Sequence, residues 1–345
     1  MLRSAIAVRQ SSRHLGSDGP RYAHRVASTP IRFQPPGEDG GRWLGFRFRA
    51  GDIVISTPPK SGTTWMQMIC ALLIFQSPDL PEPLWRLSPW LDSPGAPREH
   101  VYAHLAAQRH RRFIKTHAPL REIPSHPEVT YIVTARHPLD AFVSLYHQDQ
   151  MIGPPPGPPP PGQPEAPGPP WLLPPPGPPP TPRGPEAVSP ERLHEALVAW
   201  IAGEDRPRAP AGALPDVMRH LTEAWSRRDE PNVVLVHYDD LLTDLEGQMR
   251  RLDARLGTAV AERSWPALAG AATFARMRER KDILVPPPPG IVPEPSRFFR
   301  RGTSGAAREI LSAGELAAYH ARAARLAPPG MREWLHREDT TKQRL

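Results

Sequence analysis

Apolar positions along the chain fall into two rhythms. Residues 52–56 (Asp-Ile-Val-Ile-Ser) and 232–237 (Asn-Val-Val-Leu-Val-His) are short runs of β-branched residues that predict buried strands. Residues 112–116 (Arg-Phe-Ile-Lys-Thr) and 130–134 (Thr-Tyr-Ile-Val-Thr) predict two more. Longer stretches with helical spacing lie between them. Residues 63–75 are apolar on most faces, which predicts a buried helix. Residues 139–148 predict another, with Pro138 in its first turn, where a missing N–H costs least. Helices are also predicted over 191–202, 216–228 and 240–256; the last carries acids early and arginines late, matching the helix dipole. Strands alternating with helices predict an α/β fold. It has a central, mainly parallel sheet, right-handed crossovers and helices on both faces.

Proline interrupts this picture at defined places. The chain has 49 prolines in 345 residues, about three times ordinary usage. Twenty of them fall within the 38 residues 153–190, in runs such as Pro154-Pro155-Pro156, and a second knot is Pro286 to Pro289. Repeated Pro-Pro-Pro-Gly favours extended polyproline II without internal hydrogen bonds, so 153–190 reads as a disordered surface insertion. A lid anchored by Trp171-Leu172-Leu173 is the other reading. Residues 1–35 read as a flexible N-terminal extension. They are Arg- and Ser-rich, like a transit peptide in composition, but read better as a frayed or over-extended start. Residues 36–338 read as the folded domain, and 339–345 as a flexible tail.

The single cysteine, Cys70, excludes a disulfide framework and a cysteine-based zinc site, and points to a reducing, cytoplasmic setting. No run of eighteen apolar residues predicts a membrane span. Lys plus Arg number 43 against 36 for Asp plus Glu, a formal net charge of +7. No recognised nucleic-acid motif accompanies that charge, so no nucleic-acid partner is expected.

The chemistry is concentrated after the first strand, in Pro58-Pro59-Lys60-Ser61-Gly62-Thr63-Thr64-Trp65. Free N–H groups at a helix N-terminus capture anions. Gly62 allows close backbone approach, Ser61, Thr63 and Thr64 add hydroxyls, and Lys60 adds a full charge. The loop lacks the Gly-Lys-Ser/Thr order of a Walker A motif, since its lysine precedes the glycine. On these residues alone, a kinase-like phosphoryl transferase and a non-catalytic nucleotide-binding interaction protein both remain open. In the second case the proline segment would fit an aromatic groove.

This loop resembles the phosphosulfate loop of the cytosolic-type sulfotransferases, which use 3′-phosphoadenylyl sulfate, and the chain is similar to a bacterial member. Arg136-His-Pro-Leu-Asp-Ala-Phe-Val-Ser144 resembles the family's 3′-phosphate motif, and Phe299-Arg300-Arg301-Gly302 its C-terminal Arg-Lys-Gly element. Tyr238-Asp239-Asp240-Leu241 and Thr273-Phe274 with Met277 resemble further nucleotide-contacting stretches, all in family order over about residues 40–305. The resemblance implies a P-loop-type domain. It implies that sulfonate passes from this donor to a hydroxyl or amine of a small, hydrophobic acceptor by in-line displacement, without a metal.

The resemblance also distributes roles. His117, in Lys115-Thr116-His117, is the general base, and Lys60 and Lys115 neutralise developing charge. Arg136, Ser144, Arg300 and the Gly302 backbone hold the 3′-phosphate, with Arg301 in place of the family lysine. Trp65 and Phe274 sandwich adenine. The acceptor is lined from an 85–105 loop and the 191–225 helices, with Trp85, Trp90 and Trp200 as apolar surface. Pro58 replaces the family's aromatic residue. Gly305-Ala306-Ala307-Arg308 replaces its Gly-Asp-Trp-Lys. A homodimer is compatible with the family, although its dimer motif is not recognisable here.

Overall fold

The computed structural model describes residues 41–93, 96–149, 188–203, 212–286 and 298–336. The extension, most of the proline insertion, the tail and most of the Pro286–Pro289 knot lie outside these residues, as does Trp171-Leu172-Leu173.

Four strands form one parallel sheet: β1 (Ile53–Ser56), β2 (Phe113–Thr116), β3 (Thr130–Ala135) and β4 (Val233–His237). Their spatial order is β2-β1-β3-β4. The register pairs Ser56 with Thr116 and Ala135 with His237, so the carboxyl ends of the strands finish together. At the amino end, Arg112 Nε donates to Asp52 Oδ1 at 2.8 Å, and the ion pair is fully buried. Removing either partner would strand a buried charge, at a cost of about 3–5 kcal/mol.

Both faces of the sheet are covered, as the continuous apolar strands require. Ile53, Ile55, Phe113, Ile132, Val234 and Val236 pack on one side with helices Thr63–Phe75, Leu245–Leu256 and Trp265–Ala271. Val54, Ile114, Tyr131, Val133 and Val233 face the other, under helices Pro138–Asp149, Pro190–Ala202, Leu214–Ser226 and Ala313–Leu326. Alternate residues of one strand thus serve opposite cores, the period-two consequence of the pleat. Each large aliphatic side chain fully buried contributes about 1.5–3 kcal/mol. Among the described residues, no helix is long and apolar enough to cross a membrane.

Two expectations need correction. The amphipathic stretch 240–256 is two helices, Tyr238–Thr243 and Leu245–Leu256. Asp244 ends the first and caps the second, accepting from Gly247 N at 3.0 Å; a short acidic side chain satisfies orphan N–H groups better at a cap than inside a helix. The 85–105 segment is not one loop: it holds helices Leu84–Leu87 and Arg98–Ala107.

Candidate active site

The residue following each strand converges on the carboxyl edge of the sheet: Thr57 after β1, His117 after β2, Arg136 after β3 and Tyr238 after β4. β1 has β2 on one side and β3 on the other, so the chain leaves it at the topological switch point, where such sheets open a crevice.

The loop after β1 turns tightly, with Ser61 N donating to Pro58 O at 3.2 Å. Lys60 (φ 64°) and Gly62 (φ 95°) are both left-handed. That conformation costs a non-glycine residue about 1–2 kcal/mol, and such strain collects at functional sites. Gly62 begins the Thr63–Phe75 helix with no side-chain cap, leaving the first N–H groups of the helix for an anion. Ser61 is buried and Thr64 half-buried, and the Thr63 hydroxyl bonds that of Thr57. The Lys60 ammonium donates to Gln148 Oε1 at 2.6 Å and lies 4.7 Å from the Phe298 ring centroid.

Arg136 ties this loop to the C-terminal segment. Its Nη1 donates to Lys60 O at 3.2 Å and its Nη2 to Thr303 O at 2.9 Å. Its guanidinium carbon stacks 4.4 Å from the Tyr238 ring centroid. Arg136 Nε is buried with no hydrogen-bond partner among the described residues, so the fork retains a donor for an anion. Arg300, half-buried, feels both Arg301 and Arg136; burial and these like charges pull it below the ordinary arginine value. Ser144 is half-buried on the helix that follows Arg136. Arg301, by contrast, is exposed and reaches Glu309 at 3.4 Å.

The residues expected on the adenine side lie around Tyr238 and Ala272. Trp65 packs edge-on to Tyr238, with ring centroids 5.3 Å apart, and its Nε1 donates to Ala272 O at 2.8 Å. That bond draws Trp65 to the turn carrying Thr273 and Phe274. Thr273 caps helix Phe274–Glu279, and its hydroxyl donates to Gly270 O at 2.8 Å, so this side chain is occupied in shaping the turn. Met277 is buried. Gly302 (φ 65°) lies so close to Phe274 that a Cβ there would fall 2.5 Å from the ring. Trp200 is a core residue: it stacks 4.8 Å from Phe142 and its Nε1 donates to Gly212 O. Trp90 remains at the site, and Trp85 is half-buried.

His117 Nδ1 lies 2.8 Å from Thr57 O. A carbonyl only accepts, so Nδ1 carries the proton and Nε2 holds a lone pair. The Trp90 ring packs edge-on at 5.1 Å and also carries the Lys115 ammonium 4.4 Å from its centroid. Burial first, then Lys115, with smaller contributions from His220 and Lys60, holds the imidazole down to about 3. His117 is therefore neutral at pH 7, the protonation state a base requires.

Five residues around the site were not singled out in the sequence. Asp140 accepts from Gly305 N at 2.7 Å and Ala307 N at 3.2 Å, stapling the C-terminal segment to the Arg136 helix. His147 follows Ser144 by three positions on that helix; burial, Arg300 and Arg301 lower it to about 4. Gln148 holds Lys60. Asp92 accepts from Thr116, the neighbour of His117, and His220 lies against Ser56. A polar residue at a core position is the signal that was available for His220, because Leu214, Met218, Leu221 and Ala224 make its helix face apolar.

The family model described as a sulfotransferase domain matches residues 50–322. A glycolipid sulfotransferase of Mycobacterium bovis (strain BCG / Pasteur 1173P2) is 38% identical over 318 residues, 86% of this chain and 91% of that protein. Among solved structures, mouse sulfotransferase SULT7A1 complexed with PAP is similar with a TM-score of 0.58 at 18% identity, over 86% of this chain and 92% of that one. Retinol dehydratase in complex with androsterone and inactive cofactor PAP is similar with a TM-score of 0.56 at 20% identity, over 82% of each chain. The structural likenesses establish the shared fold. The family match and the relative at 38% identity establish more: this chain belongs to the sulfotransferase family.

Proposed function

We propose that this protein transfers a sulfonate from 3′-phosphoadenylyl sulfate to a hydroxyl on the sugar of a small, largely apolar glycolipid, with His117 as general base. The observation that carries the base assignment is the 2.8 Å bond from Nδ1 to Thr57 O, which leaves the Nε2 lone pair of a neutral imidazole available beside Lys115. The acceptor class rests on the mycobacterial relative's activity and on the apolar wall that Trp90 builds next to His117.

The donor supplies an activated sulfonate on a phosphate leaving group. The residues present fit it: the uncapped helix start, the left-handed turn at Lys60 and Gly62, and Arg136 Nε, without a hydrogen-bond partner among the described residues, all suit phosphate. Backbone N–H groups of the loop, Ser61, Thr63 and Thr64 with Lys60 line the phosphosulfate end, while Arg136, Ser144, Arg300 and the Gly302 backbone line the 3′-phosphate end. Trp65 and Phe274 would hold the adenine, with Met277 and Tyr238 supporting that end of the site. His117 Nε2 takes the acceptor hydroxyl's proton. Lys115 and Lys60 balance negative charge as it shifts toward the leaving oxygen. Once paired with an anion, the same two lysines depress His117 less, so its basicity rises when the site is loaded.

The test is an acceptor screen with labelled donor, comparing glycolipids with phenols and sterols. Labelled product on a glycolipid in the parent and none with His117→Ala, at unchanged PAP affinity by calorimetry, is the expected result. Undiminished transfer by His117→Ala removes the base assignment, and transfer confined to phenols removes the acceptor class.

A further inference from the structure

The backbone that aims His117 is held from two sides by buried polar chains. Asp92 Oδ2 accepts from Trp43 Nε1 at 3.0 Å and from the Thr116 hydroxyl. Thr116 Oγ1, its proton committed to Asp92, accepts Ala118 N–H at 2.9 Å. On the other side of the same residue, Ala118 O accepts from Ser56 Oγ at 2.7 Å. His220 Nε2 lies 3.0 Å from Ser56 Oγ. Because the single Ser56 proton points at Ala118 O, His220 must donate from Nε2. Asp92, Thr116, Ser56 and His220 are all at most 5% exposed, so water cannot replace these bonds.

We propose that Asp92 and His220 are positioning residues for the reaction: through Thr116 and Ser56 they grip the N–H and the C=O of Ala118, and so fix the turn that presents His117 Nε2. Two different elements supply the grips. Asp92 follows the segment bearing Trp90, and His220 belongs to helix Leu214–Ser226, which packs on the turn Leu120–Glu122 just beyond. The two histidines hold opposite tautomers, Nδ1–H in His117 and Nε2–H in His220. Burial lowers His220 to about 3, so it donates as a neutral ring. Burial raises the Asp92 carboxyl, opposed by its hydrogen bonds to Thr116 and Trp43, and those two bonds hold Oδ2 in place as an acceptor.

The inference rests on the reading of His117 as base, and its test does not depend on turnover. The full chain, labelled with ¹⁵N-histidine, is compared by long-range ¹H–¹⁵N correlation, with the two rings identified from His117→Gln and His220→Gln. The parent shows His117 as a single Nδ1–H tautomer and His220 as Nε2–H. Thr116→Val and Asp92→Ala each turn His117 into a mixture of tautomers while His220 keeps its own; Ser56→Ala disturbs both rings. Thr116→Ser and Asp92→Asn, which retain the acceptor oxygen, restore the parent pattern, and unchanged PAP affinity in every variant certifies the fold. Sulfonate transfer falls about a hundredfold in Thr116→Val, as expected for a misaimed base. A single Nδ1–H tautomer of His117 persisting in both Thr116→Val and Ser56→Ala overturns the proposal. Turnover surviving His117→Ala would instead overturn the base assignment and leave the tautomer result standing.

Discussion

The Tyr238 ring occupies the space that a side chain on Gly62 would need: a Cβ there would lie 3.0 Å from Tyr238 Cδ2 and 3.3 Å from Cε2. The same ring carries the Arg136 guanidinium on its face and Trp65 against its edge. One aromatic from the end of β4 thus sets the distance between the Lys60–Thr64 loop, the arginine and the indole. The parallel sheet makes this possible by ending all four strands on one edge.

Gly62→Ala should therefore damage both the fold and the nucleotide site. A left-handed alanine costs about 1–2 kcal/mol and the ring overlap about 1–3 kcal/mol more. Displacing the loop also loses a charge-assisted hydrogen bond to phosphate, which amounts to about a tenfold or greater loss of PAP affinity. Gly257→Ala is the control: its φ is 65° and nothing lies within 4 Å of its Cβ position, so it adds backbone strain alone. Calorimetry with PAP separates them, and equal losses in both variants would sink the argument.

Among the three arginines proposed near the 3′-phosphate, Arg136, Arg300 and Arg301, the first and the last should differ sharply. Arg136 makes two hydrogen bonds, stacks on Tyr238 and retains a buried Nε. Lysine keeps the charge but has neither the fork nor the flat face. Arg136→Lys should lower PAP affinity by about tenfold to a hundredfold, the range of one charge-assisted bond. Arg301→Ala should change it little, because that side chain is exposed and turned toward Glu309. A larger loss at Arg301 than at Arg136 would reverse the assignment.

How far the sequence foretold this arrangement depends on the length of the signal. The strands were legible because a run such as Ile53-Val54-Ile55 has only one good use, a doubly covered strand. The loop was legible because Lys60, Ser61, Gly62, Thr63 and Thr64 are contiguous. Asp92, Asp140, Gln148 and His220 were not, because each acts across a long sequence separation, as with Asp140 and Gly305 or Ser56 and His220. The break at Asp244 was hidden by helical periodicity continuing on both sides of it. Trp200 was misplaced because an aromatic on an amphipathic helix can face the core or a pocket, and only the packing against Phe142 decides.

The pH behaviour of His117 should depart from that of a free imidazole. Its folded value is about 3, with burial the largest cause and Lys115 the next. An NMR titration of the ligand-free protein should show no protonation of this ring near its ordinary 6.5. Lys115→Met should move the midpoint upward, while burial still holds it below 6.5. Adding PAP should also move it upward, because a bound anion offsets Lys115 and Lys60. A midpoint near 6.5 in the parent would mean that the ring is solvated rather than enclosed.

Glu122 makes the opposite prediction for stability. Its residue is 4% exposed, and Oε1 lies 3.7 Å from Arg121 Nη2, beyond hydrogen-bonding range. Burial, opposed by Arg121 and reinforced by Glu223, raises the carboxyl to about 7. The folded protein therefore binds more protons than the unfolded chain between the ordinary value of 4.5 and about 7. The associated stability is fully present below 4.5 and is lost as the pH rises through about 7. Glu122→Gln removes that loss: the variant should melt higher than the parent at about pH 8 and show no such gain at about pH 4. His117 and His220 pull the other way, since depressed values give stability that is present above 6.5 and lost as the pH falls toward about 3. Both proteins share those histidines, so the difference in melting temperature between variant and parent isolates the carboxylate. A gain that is the same at both pH values would show that glutamine improves packing, and that the buried charge is not the cause.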